Sequence, residues 1–296
     1  MTAAVAWESG VGRAGPVSAR ATPPSVAGHV AAGDELVSVN GVDLARHVDL
    51  DEVLANSIGK RTELRFAPAA GGAARTVVVQ PVDRSSQQRL RYLAWVAGRR
   101  AYVERISGGR VGYVHLLDMG EGSLKKFYLD LDVQNRSRRA VIVDVRNNEG
   151  GFVDPYAIDV LTRRTYETFR SRFGNDPSER TALGQRVLEH PTALVVNEHS
   201  LSDAENFTEA YRALHAGPVV GVPTAGWIIF TSGMSLADGS VLRLPSTLVF
   251  AHDGVDMELH PRPVDVRVEN PPGAADRGDD PQLAAAVREL EKKLGR

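Results

Sequence analysis

Four short apolar runs restrict the fold of this chain more than any other feature: RVGYVHL (110–116), AVIVDVR (140–146), TALVVN (192–197) and PVVGV (218–222). Each is strand-length, and the middle ones read as fully buried. The stretches between them carry the helical period, so the region reads as strand and helix in alternation. Strands without a polar face are buried on both sides, which happens mostly in parallel sheets covered by helices. The expected fold over 108–296 is an α/β core with a mixed, partly parallel sheet. Its last element, DDPQLAAAVRELEKKL, has Asp280 placed as N-cap and Pro281 as first helical residue. Leu283, Val287, Leu290 and Leu294 form its apolar stripe.

The region before the core has a different texture. GDELVSVNGVDL (33–44) alternates apolar and polar residues around Asn40-Gly41, which predicts a tight hairpin. LDEVLANSI (50–58) predicts a short helix, and 62–82 predicts two strands around a Gly/Ala turn. Residues 28–82 are therefore expected to form a small β-rich domain, and the basic stretch 83–107 a helical linker. Residues 1–27, rich in Ala, Gly, Ser and Pro, are expected to be an irregular remnant. The uncharged run 217–237 is long enough to span a bilayer. Its glycines and prolines break it into strands and turns instead.

Bulk chemistry removes several functions. The formal net charge is −2, so no global field recruits nucleic acid or an anionic membrane. The chain has no cysteine, which excludes disulfides, thiolate zinc sites and a cysteine nucleophile, and favours a cytoplasmic setting. No histidine pair has the spacing of a helical metal site, so neither metal nor cofactor is expected.

Two loops carry the candidate chemistry. In NEHSLSDAENF (197–207), Ser202 to Glu205 fits a capping box, and Phe207, Ala210, Tyr211 and Leu214 give the helix a buried face. The same serine lies between a buried strand and a helix start, at the sheet edge where α/β proteins bind ligands. The Asp203 N–H at the helix N-terminus is suited to stabilising an oxyanion. Capping and catalysis are compatible there. VIVDVRNNEGGFV (141–153) ends a second buried strand in Asn, Glu and two glycines. Those glycines either turn the chain or let Gly150 or Gly151 approach a substrate.

Taken in order, AAGDELVSVNGVDL, LRYLAWVAGRRAYVERISGGRVGYVHLLDMG, VDVRNNEGGF, NEHSLSDAENF, VPTAGWIIFTSG and MELHPRPVDVRVEN resemble segments of the tricorn protease family, within the wider group of C-terminal-processing serine peptidases. The resemblance covers roughly residues 28 to 290 and implies a PDZ-like domain before a peptidase core. It implies Ser202 as nucleophile, the N–H groups of Gly150 (or its neighbour Gly151) and Asp203 as oxyanion hole, and Glu258 as the acid that helps orient the general base. Peptides or unfolded proteins would be the substrates, and a full-length form would be a homo-oligomer.

The departures concern the base. Pro261 and Arg262 stand where the family usually has Gly-Val. Processing peptidases use a lysine in a Gly-Lys-Gly context; the matching place reads Gly226-Trp227-Ile228, and no lysine occurs between Lys126 and Lys292. The tricorn branch uses a histidine ahead of the PDZ domain, and the first histidine here is His29, already inside that stretch. Internal alternatives are His115, His199, His252 and His260. The expectation is an N-terminally truncated tricorn-like serine endopeptidase that is incomplete on its own. The alternative is a catalytically inactive peptide-binding module. A small-molecule α/β hydrolase is disfavoured because the G-x-S-x-G elbow is missing.

Overall fold

The computed structural model describes residues 30–31, 33–44, 48–163, 190–274 and 277–295, so the segment 1–27 lies outside the described residues. The chain divides into two units, 1–95 and 96–296.

In the first unit, β1 (Glu35–Val39), β2 (Val42–Asp43), β3 (Thr62–Ala67) and β4 (Arg75–Val79) form an antiparallel sheet in the order β2-β1-β3-β4. Asn40 and Gly41 both take positive φ, 50° and 81°, as a two-residue hairpin turn requires. Leu36, Val39, Leu64, Phe66, Val77 and Val79 point into one core with Leu50 of α1 (Leu50–Val53). That helix is shorter than its apolar spacing predicts. Leu54 closes it by donating its N–H back to the Leu50 and Glu52 carbonyls. Asn56 then adopts φ 59°, which turns the chain toward β3, and Ile58 is left 61% exposed.

Helix α2 (Arg84–Ile106) runs across the division between the units. The second unit continues through β5 (Val111–His115), α3 (Glu121–Ser137), β6 (Ala140–Asp144), α4 (Asp154–Thr162), β7 (Thr192–Val196), α5 (Asp203–Ala213), β8 (Val219–Gly221), β9 (Phe230–Ser235), β10 (Val241–Thr247), β11 (Val266–Arg267) and α6 (Pro281–Lys293). Its main sheet has five strands in the order β11-β8-β7-β6-β5, and every pairing is parallel. Among the described residues, the antiparallel pairings of this half are the separate β9–β10 hairpin and an isolated bridge between Phe250 and Asp256. Every residue of β5, β6 and β7 is buried, the polar His115, Asp144 and Thr192 among them.

The two faces of this sheet differ in kind. One packs Val114, Val143, Val145, Leu194 and Val196 against Phe127 of α3, Ala157 of α4, and Phe207 and Tyr211 of α5. The other side holds a buried polar cluster at the start of α6. Arg146 bonds the Asp144 carboxylate at 2.7 Å and Asp280 at 3.1 Å, and Tyr113 donates to Asp144 at 2.8 Å. Burial alone would raise the Asp144 carboxyl; the adjacent guanidinium outweighs it and holds the group below the ordinary carboxylate range. Asp280 also caps α6 by accepting the Leu283 N–H at 3.1 Å. Tyr102 and Arg99 of α2 reach Asp279 and Asp280, which ties the end of α2 to this unit.

Because the sheet is parallel, the loops after β5, β6 and β7 all emerge at one edge. Asp280→Ala removes a cap and one partner of a buried cation together, and is expected to cost about 3–5 kcal/mol of unfolding free energy. Denaturant titration checks this. A loss below about 1 kcal/mol, the size of a lone cap, would mean that Arg146 is satisfied without Asp280, by Asp144 and Gln282 among its partners.

Candidate active site

β6 and β7 are neighbours, so their following loops meet. Asn147 and Asn197 exchange hydrogen bonds, N–H to Oδ1 at 3.0 Å and Nδ2 to Oδ1 at 2.9 Å. The Leu201 N–H donates to the Asn148 carbonyl at 2.8 Å. Ser200 is fully buried and donates its hydroxyl to the Val145 carbonyl at 2.8 Å. That commits it to structure and leaves the half-buried Ser202 as the serine of this turn.

Ser202 has φ 51° and ψ −116° and sits immediately before α5. A non-glycine residue in this region is strained by about 1–3 kcal/mol and persists only where its surroundings over-determine it. The surroundings here are a capping box, with the Ser202 N–H donated to Glu205 at 3.0 Å and the Glu205 N–H on the Ser202 carbonyl at 2.7 Å. Asp203 is the first residue of α5, so no helical carbonyl precedes it to take its N–H.

Gly150 lies directly against this turn. A Cβ there would fall 2.7 Å from the Ser202 Cβ and 3.0 Å from the Asp203 nitrogen, and its φ of 86° disfavours any side chain. Its carbonyl accepts the Met119 N–H at 2.9 Å, and the Phe152 N–H returns to the Met119 carbonyl at 2.9 Å. Its own N–H donates to Asn148 Oδ1 at 2.9 Å. Asn148 is fully buried and reaches the Leu116 carbonyl with its Nδ2 at 3.0 Å. Of the two candidate glycines, Gly150 is thus the one in contact with Ser202, and Gly151 bridges to Met119.

Asp203 also fixes the loop through its side chain. Its buried carboxylate accepts the N–H groups of Val153 and Asp154 at 2.8 and 3.0 Å, which closes the N-terminus of α4. Desolvation, and then the Asp203 carboxylate beside it, push the Asp154 carboxyl up to about 8. Asp154 therefore stays protonated in the fold at pH values where an unfolded chain would ionise it.

Two further segments complete the neighbourhood. Fully buried Glu205 accepts hydrogen bonds from the Thr224 hydroxyl at 2.7 Å, the Gly226 N–H at 2.6 Å and the Trp227 N–H at 2.7 Å. The Gly226 carbonyl in turn accepts the Leu259 N–H at 2.9 Å. Glu258 is therefore one residue from the segment that Glu205 holds, half-buried, with its own N–H on Asp256 at 3.0 Å. Arg262 is buried, pairs with Glu209 at 3.3 Å and donates to the His260 carbonyl at 2.7 Å.

The histidines divide by location. His115 is buried with its ring 3.1 Å from the Arg146 carbonyl, and burial lowers its pKa. It alternates with Val114 along β5, so it belongs to the face opposite α5. His199, His252 and His260 are exposed. Among the described residues, no histidine is recorded in hydrogen-bond contact with Ser202.

The functional partners that local sequence did not disclose are Asn148, Thr224 and the long-range bonds of Glu205. The only signal was the glutamate three residues after Ser202, which reads as a cap.

The second unit is thus a parallel α/β fold that carries a strained serine at a strand-to-helix turn. The sequence model of Peptidase family S41 matches residues 110–268, over half of the 296 residues, and the chain belongs to that family. Residues 18–84 match the tricorn protease PDZ domain. Tricorn protease homolog 1 of Streptomyces coelicolor is 37% identical over 266 residues, covering 89% of this chain and 24% of the relative. Tricorn protease of Thermoplasma volcanium is 31% identical over 269 residues, 88% of this chain and 25% of the relative. The crystal structure of the tricorn protease superposes with a TM-score of 0.76 at 26% identity, covering 96% of this chain and 28% of that one. The chain thus spans about a quarter of the length of these relatives. Among the described residues, no helix is long and apolar enough to cross a membrane.

The Asp154–Asp203 pair gives a pH prediction. An acid whose folded pKa is raised makes folding less favourable as pH climbs from its unfolded value, about 4, to its folded value of about 8. Asp154→Asn removes that penalty. Thermal unfolding should show the variant gaining on the wild type at pH 8 and the gain shrinking at pH 5. An effect equal at both pH values would contradict the raised pKa.

Proposed function

We propose that the chain carries the core of a tricorn-like serine endopeptidase that hydrolyses peptides or unfolded segments through an acyl-enzyme on Ser202. The observation that carries this is the contact of Gly150 with Ser202 and the Asp203 nitrogen. In this reading the Ser202 hydroxyl adds to a peptide carbonyl and gives its proton to a general base. The carbonyl oxygen becomes an oxyanion beside the Asp203 N–H. Collapse expels the amine, which takes the proton, and water then releases the acid by the same steps. Gly150 supplies the second donor once substrate draws its N–H from Asn148. Glu258 is the acid that orients the base through intervening groups. We assign the base to a histidine of a segment ahead of the PDZ domain, as the resemblance to the tricorn branch implies, because among the described residues His115 faces the other side of the sheet and His199, His252 and His260 make no hydrogen bond to Ser202. The same reading includes a homo-oligomeric, cytoplasmic full-length form, supported by the resemblance to the tricorn group. Neither metal nor cofactor enters the steps.

The rival is a peptide-binding module without turnover, favoured by the engagement of the Gly150 N–H with Asn148. Covalent chemistry separates the two. Supplied with the remaining segments of a tricorn relative by co-expression, the chain is expected to react with a fluorophosphonate at Ser202, and Ser202→Ala to stay unlabelled. Gly150→Ala keeps the N–H, but its Cβ would displace the turn at Ser202, and it should slow labelling by about 10²-fold, the scale of a small misplacement of a reacting group. Peptide turnover by residues 1–296 alone should be slow, and should rise when the remaining segments of a tricorn relative are supplied by co-expression. No labelling of the wild type, with peptide binding retained, would establish the rival.

A further inference from the structure

A capping glutamate needs one hydrogen bond, from the N-cap N–H. Glu205 has four. Oε2 accepts the N–H groups of Ser202 at 3.0 Å and Trp227 at 2.7 Å; Oε1 accepts the Gly226 N–H at 2.6 Å and the Thr224 hydroxyl at 2.7 Å. Its side chain has no solvent exposure. A carboxylate offers about four acceptor sites, so every site is filled, by neutral donors and without a cation. An ionised carboxylate is costly to bury, and a cap does not require burial. The donors come from two separate places: the strained turn at Ser202, and a segment 19 to 22 residues further along.

We propose that Glu205 is the positioning residue of this site, holding the backbone of Ser202 and the Thr224–Trp227 segment as one unit. The role in positioning a nucleophile rests on the serine-peptidase reading above; the coupling of the two segments does not. The Ser202 and Trp227 nitrogens share one oxygen, so neither shifts without disturbing the other. Through Oε2 the turn at φ 51° is held open for attack. Through Oε1 the segment that accepts the Leu259 N–H is held beside it. The side chain of Trp227 is 67% exposed on that fixed backbone. The Thr224 hydroxyl also accepts the Arg262 N–H at 2.7 Å, so the unit extends to the segment after Glu258.

The test uses the full chain and two readouts. Glu205→Gln keeps the side-chain shape but replaces one acceptor oxygen by an NH2 group, which then faces N–H donors. Amide hydrogen exchange read by mass spectrometry should accelerate about 10–100-fold in peptides covering 201–205 and 224–228 together. Peptides from β6 and β7 should not change. Labelling of Ser202 by a fluorophosphonate, with the remaining segments of a tricorn relative co-expressed as above, should slow by roughly 100-fold, the scale of a small misplacement of a reacting group. Thr224→Val carries the test if Glu205→Gln does not fold. It should loosen both segments and slow labelling to a lesser degree, and Thr224→Ser, which keeps the hydroxyl, should restore both. Acceleration in one segment without the other overturns the coupling. Unchanged labelling while both segments loosen overturns the positioning role, as does a wild type that does not label. Labelling that survives Ser202→Ala sinks the nucleophile assignment alone, because the exchange readout does not depend on it.

Discussion

At position 150 a Cβ would sit 2.7 Å from the Ser202 Cβ and 3.0 Å from the Asp203 nitrogen, closer than packed atoms come. Only glycine permits the loop after β6 to lie there. The adjacency of β6 and β7 in a parallel sheet brings the loop close, and the asparagine exchange between residues 147 and 197 sets its register. Asp203 then locks it from the other side by accepting the Val153 and Asp154 N–H groups. Widening the contact by one side chain would move the start of α4, the turn at Ser202 and the Asp203 N–H together.

The polar groups of the second unit fall into two centres of opposite character. On the α6 side, Arg146 neutralises Asp144 and Asp280, and charge is met by charge. Around Ser202, the carboxylates of Asp203 and Glu205 are met chiefly by backbone N–H groups at helix starts and turns. Helix N-termini favour negative charge, so this second arrangement is physically sound. It leaves the first N–H of α5 with no helical carbonyl ahead of it to accept it. The sheet separates the centres, which is why His115, on β5 and tied to the Arg146 carbonyl, is part of the structural centre.

Much of this was legible in the sequence where the information is local. Short, mostly apolar runs predicted the buried strands, Asn40-Gly41 the hairpin turn, and Asp280-Pro281 the start of α6. Ser202 and Glu205 predicted the start of α5. That Gly150 or Gly151 would face Ser202 was expected from strand–helix alternation together with the family resemblance, while the choice of Gly150 comes from the structure. What was not legible depends on partners distant along the chain. Nothing in residues 202–205 shows that Glu205 also binds Thr224, Gly226 and Trp227. Nothing in NNEGG shows that Asn148 takes the Gly150 N–H. The helix expected over 50–58 stops at Val53 because Asn56 turns the chain, a choice that apolar spacing does not encode.

The central claim is that the Ser202 hydroxyl and the Asp203 N–H serve one reacting carbonyl. A crystal structure of the chain reacted with a peptidyl phosphonate tests it most directly. The account predicts a covalent bond from phosphorus to Ser202 Oγ, with a phosphoryl oxygen within hydrogen-bond distance of the Asp203 nitrogen and facing Gly150. An adduct on another residue, or a phosphoryl oxygen turned to solvent away from Asp203, would contradict it.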